Sequence, residues 1–185
     1  MRIISGIAKG KRLTGFSGLE IRPTSDRVRE ALFSILNSRY GNLEGKRVLD
    51  LYAGTGAMAI EALSRGAALA TLVDQGEQSA KIIPSNLKTS GLASQATLIR
   101  SGVLKALPAL SPCDLIFLDP PYGKGLVPQT IEALSEFDLL GAEGMICAEA
   151  AQDDPVPETI GRFRRIEERR YGSTVLHLFT HCEAV

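Results

Sequence analysis

"RVLDLYAGTGAMAIEALSRG", residues 47–66, decides the fold class. RVLDLY is apolar, β-branched at its start and short enough for a strand. AMAIEALSRG repeats apolar residues at helical spacing and stops at a glycine. Between them, Gly54 and Gly56 allow a tight turn straight from strand to helix. The same alternation continues downstream. ALATLVD is a strand and EQSAKIIPSNLKTSG a helix that ends at Gly91 and is predicted to kink at Pro84. ATLIR is a strand, followed by a short amphipathic piece to Leu107. CDLIFLD is a strand, LVPQTIEALSEF mostly helix, and GMICAEA a strand. Near-continuous apolar strands alternating with helices predict an α/β, Rossmann-like fold: an open, mostly parallel sheet covered on both faces. The end breaks the pattern. RFRRIEERRYGSTVLHLFTHC reads as two strands about a turn near Tyr171-Gly172-Ser173, an antiparallel C-terminal hairpin expected at the sheet's edge.

Upstream of residue 47 the composition differs. Residues 1–22 carry Gly6, Gly10, Gly15 and Gly18 and read as short strands, a small β-hairpin arm. RPTSDRVREALFSILNSR then reads as a helix. Pro23 precedes it, Thr24 or Ser25 caps it, and Asp26 suits its positive N-terminal end. Val28, Ala31, Leu32 and Ile35 form its buried stripe, with Arg27, Arg29 and Glu30 off that stripe. The expected organisation is one domain, residues 1–22 as the arm and residues 23–185 as the core, as the length of 185 residues suggests.

Composition narrows the class. Hydrophobic residues make up 44% and charged residues 23%, as in globular proteins generally. No run approaches a membrane span, and the N-terminus lacks a signal-like apolar core. Three scattered cysteines, Cys113, Cys147 and Cys182, argue against a disulfide framework and for a reducing, cytoplasmic setting. The net charge is zero but segregated. Residues 1–30 hold seven basic residues against three acids, a net of +4, while residues 131–160 hold eight acids and no Lys or Arg. One positive face suits a polyanion. Lys9, Lys11, Arg12, Arg27 and Arg29 are the candidate phosphate contacts; the competing reading is that an arginine pairs with an acid and holds the arm in place.

The glycine loop is the first chemical signal. Ala53, Gly54, Thr55 and Gly56 sit between strand and helix, where glycines let a ligand approach the backbone and the helix presents its N-terminal end. Asp74 ends the next strand, 20 residues after Gly54, placed to accept from a ribose's two hydroxyls. Together they predict an adenosine-bearing cofactor. Asp50, four residues before Gly54, would attract the ammonium of a methionine moiety and repel a pyrophosphate, which favours S-adenosylmethionine over a nicotinamide dinucleotide. The third strand ends in Ser101-Gly102, where an acid for the adenine amine is usual, so Ser101 or a backbone group is the expected substitute.

The second signal is DPPY, residues 119–122, followed by Gly123-Lys124-Gly125, an ordinary loop or a lid. A nucleobase amine is a poor nucleophile because its lone pair is delocalised into the ring. Two acceptors near its hydrogens, the Asp119 carboxylate and the Pro120 carbonyl, draw it towards tetrahedral geometry. Pro120 and Pro121 fix the backbone, and Tyr122 offers a face for stacking the base.

VLDLYAGTGAMAIEALSRGA, DPPYGKG and especially RPTSDRVREALFSIL, with the RIISGIAKGKRL opening and YGSTVLHLF ending, resemble the RsmD family over essentially the whole chain. The resemblance implies a seven-stranded class I methyltransferase sheet. It also implies methylation of the N2 amine of one guanosine in 16S ribosomal RNA, within a partly assembled small subunit. The residues alone leave rivals: an adenine-N6 DNA methyltransferase, a non-catalytic ribosome-assembly factor, and a dehydrogenase disfavoured by Asp50. His177, His181 and Cys182 lack the spacing of a metal site, and no metal is expected. Phe33, on the polar side of its helix, is expected to pack beneath the arm rather than on RNA.

Overall fold

The computed structural model describes residues 1–16 and 23–182, and from Asp26 onward the second span includes side chains. Helix α1 (Pro23–Tyr40) precedes a repeating run of β1 (Arg47–Leu51), α2 (Ala57–Ser64), β2 (Leu69–Val73), α3 (Glu77–Ser90) and β3 (Ala96–Ile99). The short α4 (Val103–Ala106), β4 (Cys113–Leu118), α5 (Leu126–Glu136) and β5 (Leu140–Ala151) follow, then β6 (Thr159–Ile160), β7 (Phe163–Tyr171) and β8 (Thr174–His181). One sheet runs in the order β3-β2-β1-β4-β5-β8-β7-β6. The first five strands are mutually parallel, and β8, β7 and β6 are antiparallel. Apolar residues fill both faces of β1 and β4 because helices cover both. Val28, Leu32, Leu36, Ile60 and Ile83 of α1, α2 and α3 pack on one face, and Val103, Val127, Ile131 and Leu134 of α4 and α5 on the other.

Several expectations are corrected. The sheet has eight strands, not seven, because two residues after the acidic segment, Thr159 and Ile160, pair with Arg164 and Phe163. The hairpin therefore does not form the edge: β8 lies inside, between β5 and β7, and His177 is buried. Strand β5 starts at Leu140, before Gly144. Helix α1 starts at Pro23 itself, so Thr24 and Ser25 belong to its first turn and not to a cap; their side chains lie outside the described residues. Its buried side includes Phe33 and Leu36, while Ala31 is only half-buried. Phe33 packs on the sheet, its ring centroid 5.7 Å from that of Phe117 in β4, with the Arg65 guanidinium 4.8 Å from the ring on its other flank.

The arm is a loop with a single bridge pair, Arg2 with Arg12, rather than two strands. Ile3 donates to the Lys11 carbonyl and Leu13 to the Met1 carbonyl, each at 3.1 Å, across the arm, and further N–H groups reach the core. Ile4 and Ser5 donate to the buried Glu61 carboxylate at 2.7 and 3.0 Å, Ile7 to the Ser64 carbonyl at 2.8 Å, and Ala8 to Ser64 Oγ at 3.0 Å. Asn86 of α3 closes the second leg, accepting from the Thr14 N–H at 2.8 Å and donating to the Thr14 carbonyl at 3.0 Å. Ile3, Ala8 and Leu13 enter the α1-side core. Residues 17–22 of the expected arm lie outside the described residues. Among the described residues no helix is long and apolar enough to cross a membrane.

Candidate active site

Strand order reverses between β1 and β4, the switch point at which open α/β sheets bind ligands. Asp50 pairs in register with Phe117, and Leu51 with Leu118, so the glycine loop and DPPY leave adjacent strands at the same level. Two adjoining cavities open there, of about 660 and about 500 Å³, both bordered by Phe16, Tyr52, Gly54 and Asp119.

The first cavity reaches Asp74, Gly76 and Ser101. Asp74 holds its own surroundings: Oδ2 accepts from the Gly54 N–H at 2.8 Å and Oδ1 from the Gly76 N–H at 2.7 Å. Each carboxylate oxygen keeps further acceptor capacity for a hydroxyl. Ser101 borders this cavity with its hydroxyl 3.2 Å from the Gly102 carbonyl, and Gln75 and Val103 border it beside Ser101. The second cavity reaches Asp50, Ala53, Thr55, Cys147 and Glu149. Asp50 is buried and accepts from the Ala59 N–H of α2 at 3.0 Å. Burial pushes its carboxyl up to about 8, with Asp119 and Asp74 adding to the rise against that one hydrogen bond. A cationic ligand group is what such a buried acid lacks.

Gly56 stands apart from Gly54 in the loop. It borders neither cavity. Its φ is +77°, and a Cβ there would lie 3.1 Å from Leu72 Cδ2 and 3.4 Å from Ile83 Cγ1, so it serves helix–sheet packing. Gly54, at φ +57°, does face the ligand space, with an added Cβ 3.7 Å from the Phe16 ring. The loop opens on Tyr52, a non-glycine residue at φ 61° whose hydroxyl lies 2.8 Å from Thr130 Oγ1. A left-handed tyrosine costs backbone energy that its surroundings must hold.

At the acceptor corner Pro120 is buried and Asp119 exposed. Pro121 borders the first cavity and Tyr122 stands half-buried beside it. The Tyr122 hydroxyl donates to Glu149 Oε1 at 2.5 Å and lies 3.2 Å from Thr174 Oγ1. Burial first, and then the Glu149 hydrogen bond, push that phenol above its ordinary value. Gly123 donates to the Asp154 carboxylate at 2.9 Å and Gly125 stands at the N-cap of α5, so the turn after DPPY is pinned. Sequence reasoning missed Phe16, Tyr52 and Glu149. An acid inside the apolar GMICAEA was the available signal for Glu149.

The basic candidates divide. Lys9, Lys11, Arg12 and Arg27 are exposed, with Lys11 Nζ donating to the Ser90 carbonyl at 2.9 Å. Arg29 is 3% exposed, donates to the Arg2 carbonyl at 2.8 Å and lies 3.0 Å from Asp26 Oδ1. It ties α1 to the arm and borders the second cavity. His177 lies between Arg165, 3.3 Å away, and Glu168, 3.7 Å away, and burial lowers its pKa. Among the described residues no three His, Cys, Asp or Glu side chains cluster as a metal site would require.

Residues 1–180 match the family described as conserved hypothetical protein 95. The chain belongs to that family. It is 32% identical over 180 residues to ribosomal RNA small subunit methyltransferase D of Escherichia coli K12, covering 97% of this chain and 89% of that one. The protein of that name in Haemophilus influenzae is 36% identical over 160 residues, covering 84% and 81%. Among solved structures, yhhF of Escherichia coli superimposes with a TM-score of 0.85 at 30% identity, covering 98% of this chain and 97% of that one. A hypothetical protein of Thermus thermophilus gives 0.82 at 29%, covering 98% and 99%. The RsmD resemblance is thereby borne out, and so is the mostly parallel sheet with its antiparallel C-terminal strands.

Proposed function

We propose that this protein is an S-adenosylmethionine-dependent methyltransferase acting on the exocyclic N2 amine of a guanosine in 16S ribosomal RNA. The observation that carries the reading is the register of β1 against β4, which sets the donor loop and DPPY side by side at the switch point. The relatives' names supply the RNA class. The residues fit the cofactor: Asp74 for the ribose hydroxyls, Gly54, Ala53 and Thr55 along the loop, Ser101 at the adenine end, and Asp50 for the ammonium. Bound there, the cofactor supplies a methyl group activated by a sulfonium.

The chain's own residues do the rest. The Asp119 carboxylate and the Pro120 carbonyl accept the two amine hydrogens and localise the nitrogen lone pair. Pro121 holds that carbonyl's direction, and Tyr122, steadied by Glu149 and Thr174, stacks the base. The amine nitrogen that takes the methyl group would carry the positive charge that the sulfonium gives up. One amine proton then leaves through Asp119, which solvent reaches. The base must be splayed out of its surroundings to enter. Arg2, exposed beside Arg12, joins Lys9, Lys11, Arg12 and Arg27 as the phosphate-facing set, in place of Arg29. We read the chain as one catalytic unit with an RNA-gripping arm, working in the cytoplasm on a partly assembled subunit. Mass spectrometry of small-subunit ribosomal RNA from cells lacking the protein tests this. One N2-methylguanosine should disappear and return with the intact gene; an unchanged set of methylguanosines, or a lost N6-methyladenine instead, sinks the proposal.

A further inference from the structure

Three carboxylates stand on one face at the carboxyl ends of three neighbouring parallel strands: Asp50 on β1, Asp119 after β4 and Glu149 on β5. Leu118 pairs with Ala148, so Asp119 and Glu149 are the next residues on strands whose backbones run about 4.8 Å apart. Phe117 and Cys147, two positions before each acid, belong to the α1-side core, while Leu118 and Ala148 face the other way. Strand alternation therefore turns both acids to the α1 side, where both border the second cavity. Glu149 is held in direction, because its Oε1 accepts from the Tyr122 hydroxyl at 2.5 Å, and a carboxylate oxygen accepts more than one hydrogen bond.

We infer that Glu149 determines base specificity by accepting the N1–H of the target guanine while Asp119 accepts from its N2 amine; this rests on the guanine-N2 reading above. Guanine presents two adjacent donors on its Watson–Crick edge, N1–H and the 2-amine, which match two adjacent carboxylates. Adenine presents its 6-amine beside a bare N1 acceptor, and cytosine its 4-amine beside a bare N3. Either would set a lone pair against the Glu149 carboxylate, and an acceptor buried against an acceptor costs the full desolvation of both. DPPY alone serves any nucleobase amine; the second acid supplies the choice.

The test uses the full-length protein and reconstituted small ribosomal subunits carrying guanosine or 2,6-diaminopurine at the nucleotide that wild type methylates. Diaminopurine keeps the 2-amine but has no proton on N1. Wild type should methylate guanosine and act on diaminopurine about 10- to 100-fold more slowly, the worth of one hydrogen bond to a charged group. Glu149→Gln keeps an oxygen for Tyr122 and offers N1 a donor. It should slow guanosine by a similar factor, shrink the penalty against diaminopurine, and leave S-adenosylmethionine affinity by calorimetry unchanged. Tyr122→Phe should retain the wild-type penalty. Glu149→Gln with unchanged rate and unchanged discrimination overturns the inference. So does an equal loss on both bases in Glu149→Gln and Tyr122→Phe, which would make Glu149 a prop for the ring. Failure of the guanine-N2 reading itself is seen separately, as wild type placing no methyl on any guanine 2-amine.

Discussion

Asp50 is buried with one backbone hydrogen bond, and its pKa is pushed up to about 8, chiefly by burial. At neutral pH the unliganded protein therefore holds it mostly protonated. In the unfolded chain it ionises near its ordinary 3.8, so between about pH 4 and 8 the folded state binds the extra proton and stability falls as pH rises. An ammonium brought beside it favours the ionised form. Binding S-adenosylmethionine below pH 8 should release a proton, and affinity should rise towards pH 8 by up to about tenfold per unit. Calorimetry in buffers of different ionisation enthalpy measures that proton; Asp50→Asn should abolish its release. If wild type releases none, Asp50 does not meet the ammonium. Asp74 works differently, through acceptors already fixed on Gly54 and Gly76. Asp74→Ala should weaken cofactor binding by roughly 1.5–3 kcal/mol, the loss of hydrogen bonds to a charged acceptor, while Asp119→Ala should leave affinity nearly intact and cut turnover by about 10²–10³. Titration and single-turnover rates separate the two. Asp74 and Asp119 were readable in sequence because each closes a strand beside a glycine or proline signal. Glu149 left only a weak signal, one acid in an apolar strand, which gains meaning once its register with Asp119 is known. At Gly56 the close packing of Leu72 and Ile83 leaves no room for a side chain.

At the scale of elements, the parallel strands and their helices were legible because both-sided burial leaves long apolar runs. The arm and the edge position of the C-terminal hairpin were misread because the contacts that set them are remote from the residues read. Glu61, Ser64 and Asn86 take the N–H groups of Ile4, Ser5, Ala8 and Thr14, so pairing within the arm stays at one bridge pair with a few flanking backbone bonds. The edge passes to β6, two residues too short to show as a strand. The arm's fit is tightest at Gly6. Its φ is +82°, and an added Cβ would lie 1.7 Å from the Ser64 carbonyl oxygen, a contact no rotamer relieves. Gly6→Ala should therefore lift the arm from α2. Amide exchange at Ile4, Ser5, Ile7 and Ala8 should rise towards that of free chain, RNA affinity should fall, and S-adenosylmethionine binding should hold. Unchanged protection at these four amides would mean that the arm's bonds to Glu61 and Ser64 do not hold it.

Across the whole molecule, charge sorts by face of the sheet. The arm docks on α2 and α3, on the α1 side, and the acidic α5 covers the other. The arginines of β7 offset this little, since Arg165, Arg169 and Arg170 lie within ion-pairing distance of Glu167 or Glu168. The positive end of the molecule is thus the arm, where Arg2 and Arg12 stand opposite each other in the bridge pair and point outward. Each arginine that neutralises a phosphate releases counterions, so Arg2→Ala with Arg12→Ala should reduce the log–log salt slope of RNA binding by about 2. Truncating Arg2 leaves its carbonyl, and with it the Arg29 anchor, in place, so melting temperature should barely move. Arg29→Ala removes the same unit of charge from a buried site. It should lower the melting temperature by about 4–8 °C, the equivalent of ~2 kcal/mol in a chain of this size, and leave the salt slope as it was. The reverse pattern, a flattened slope from Arg29→Ala and an unaltered one from the double variant, would place the RNA on the α1 side of the cavity and not along the arm.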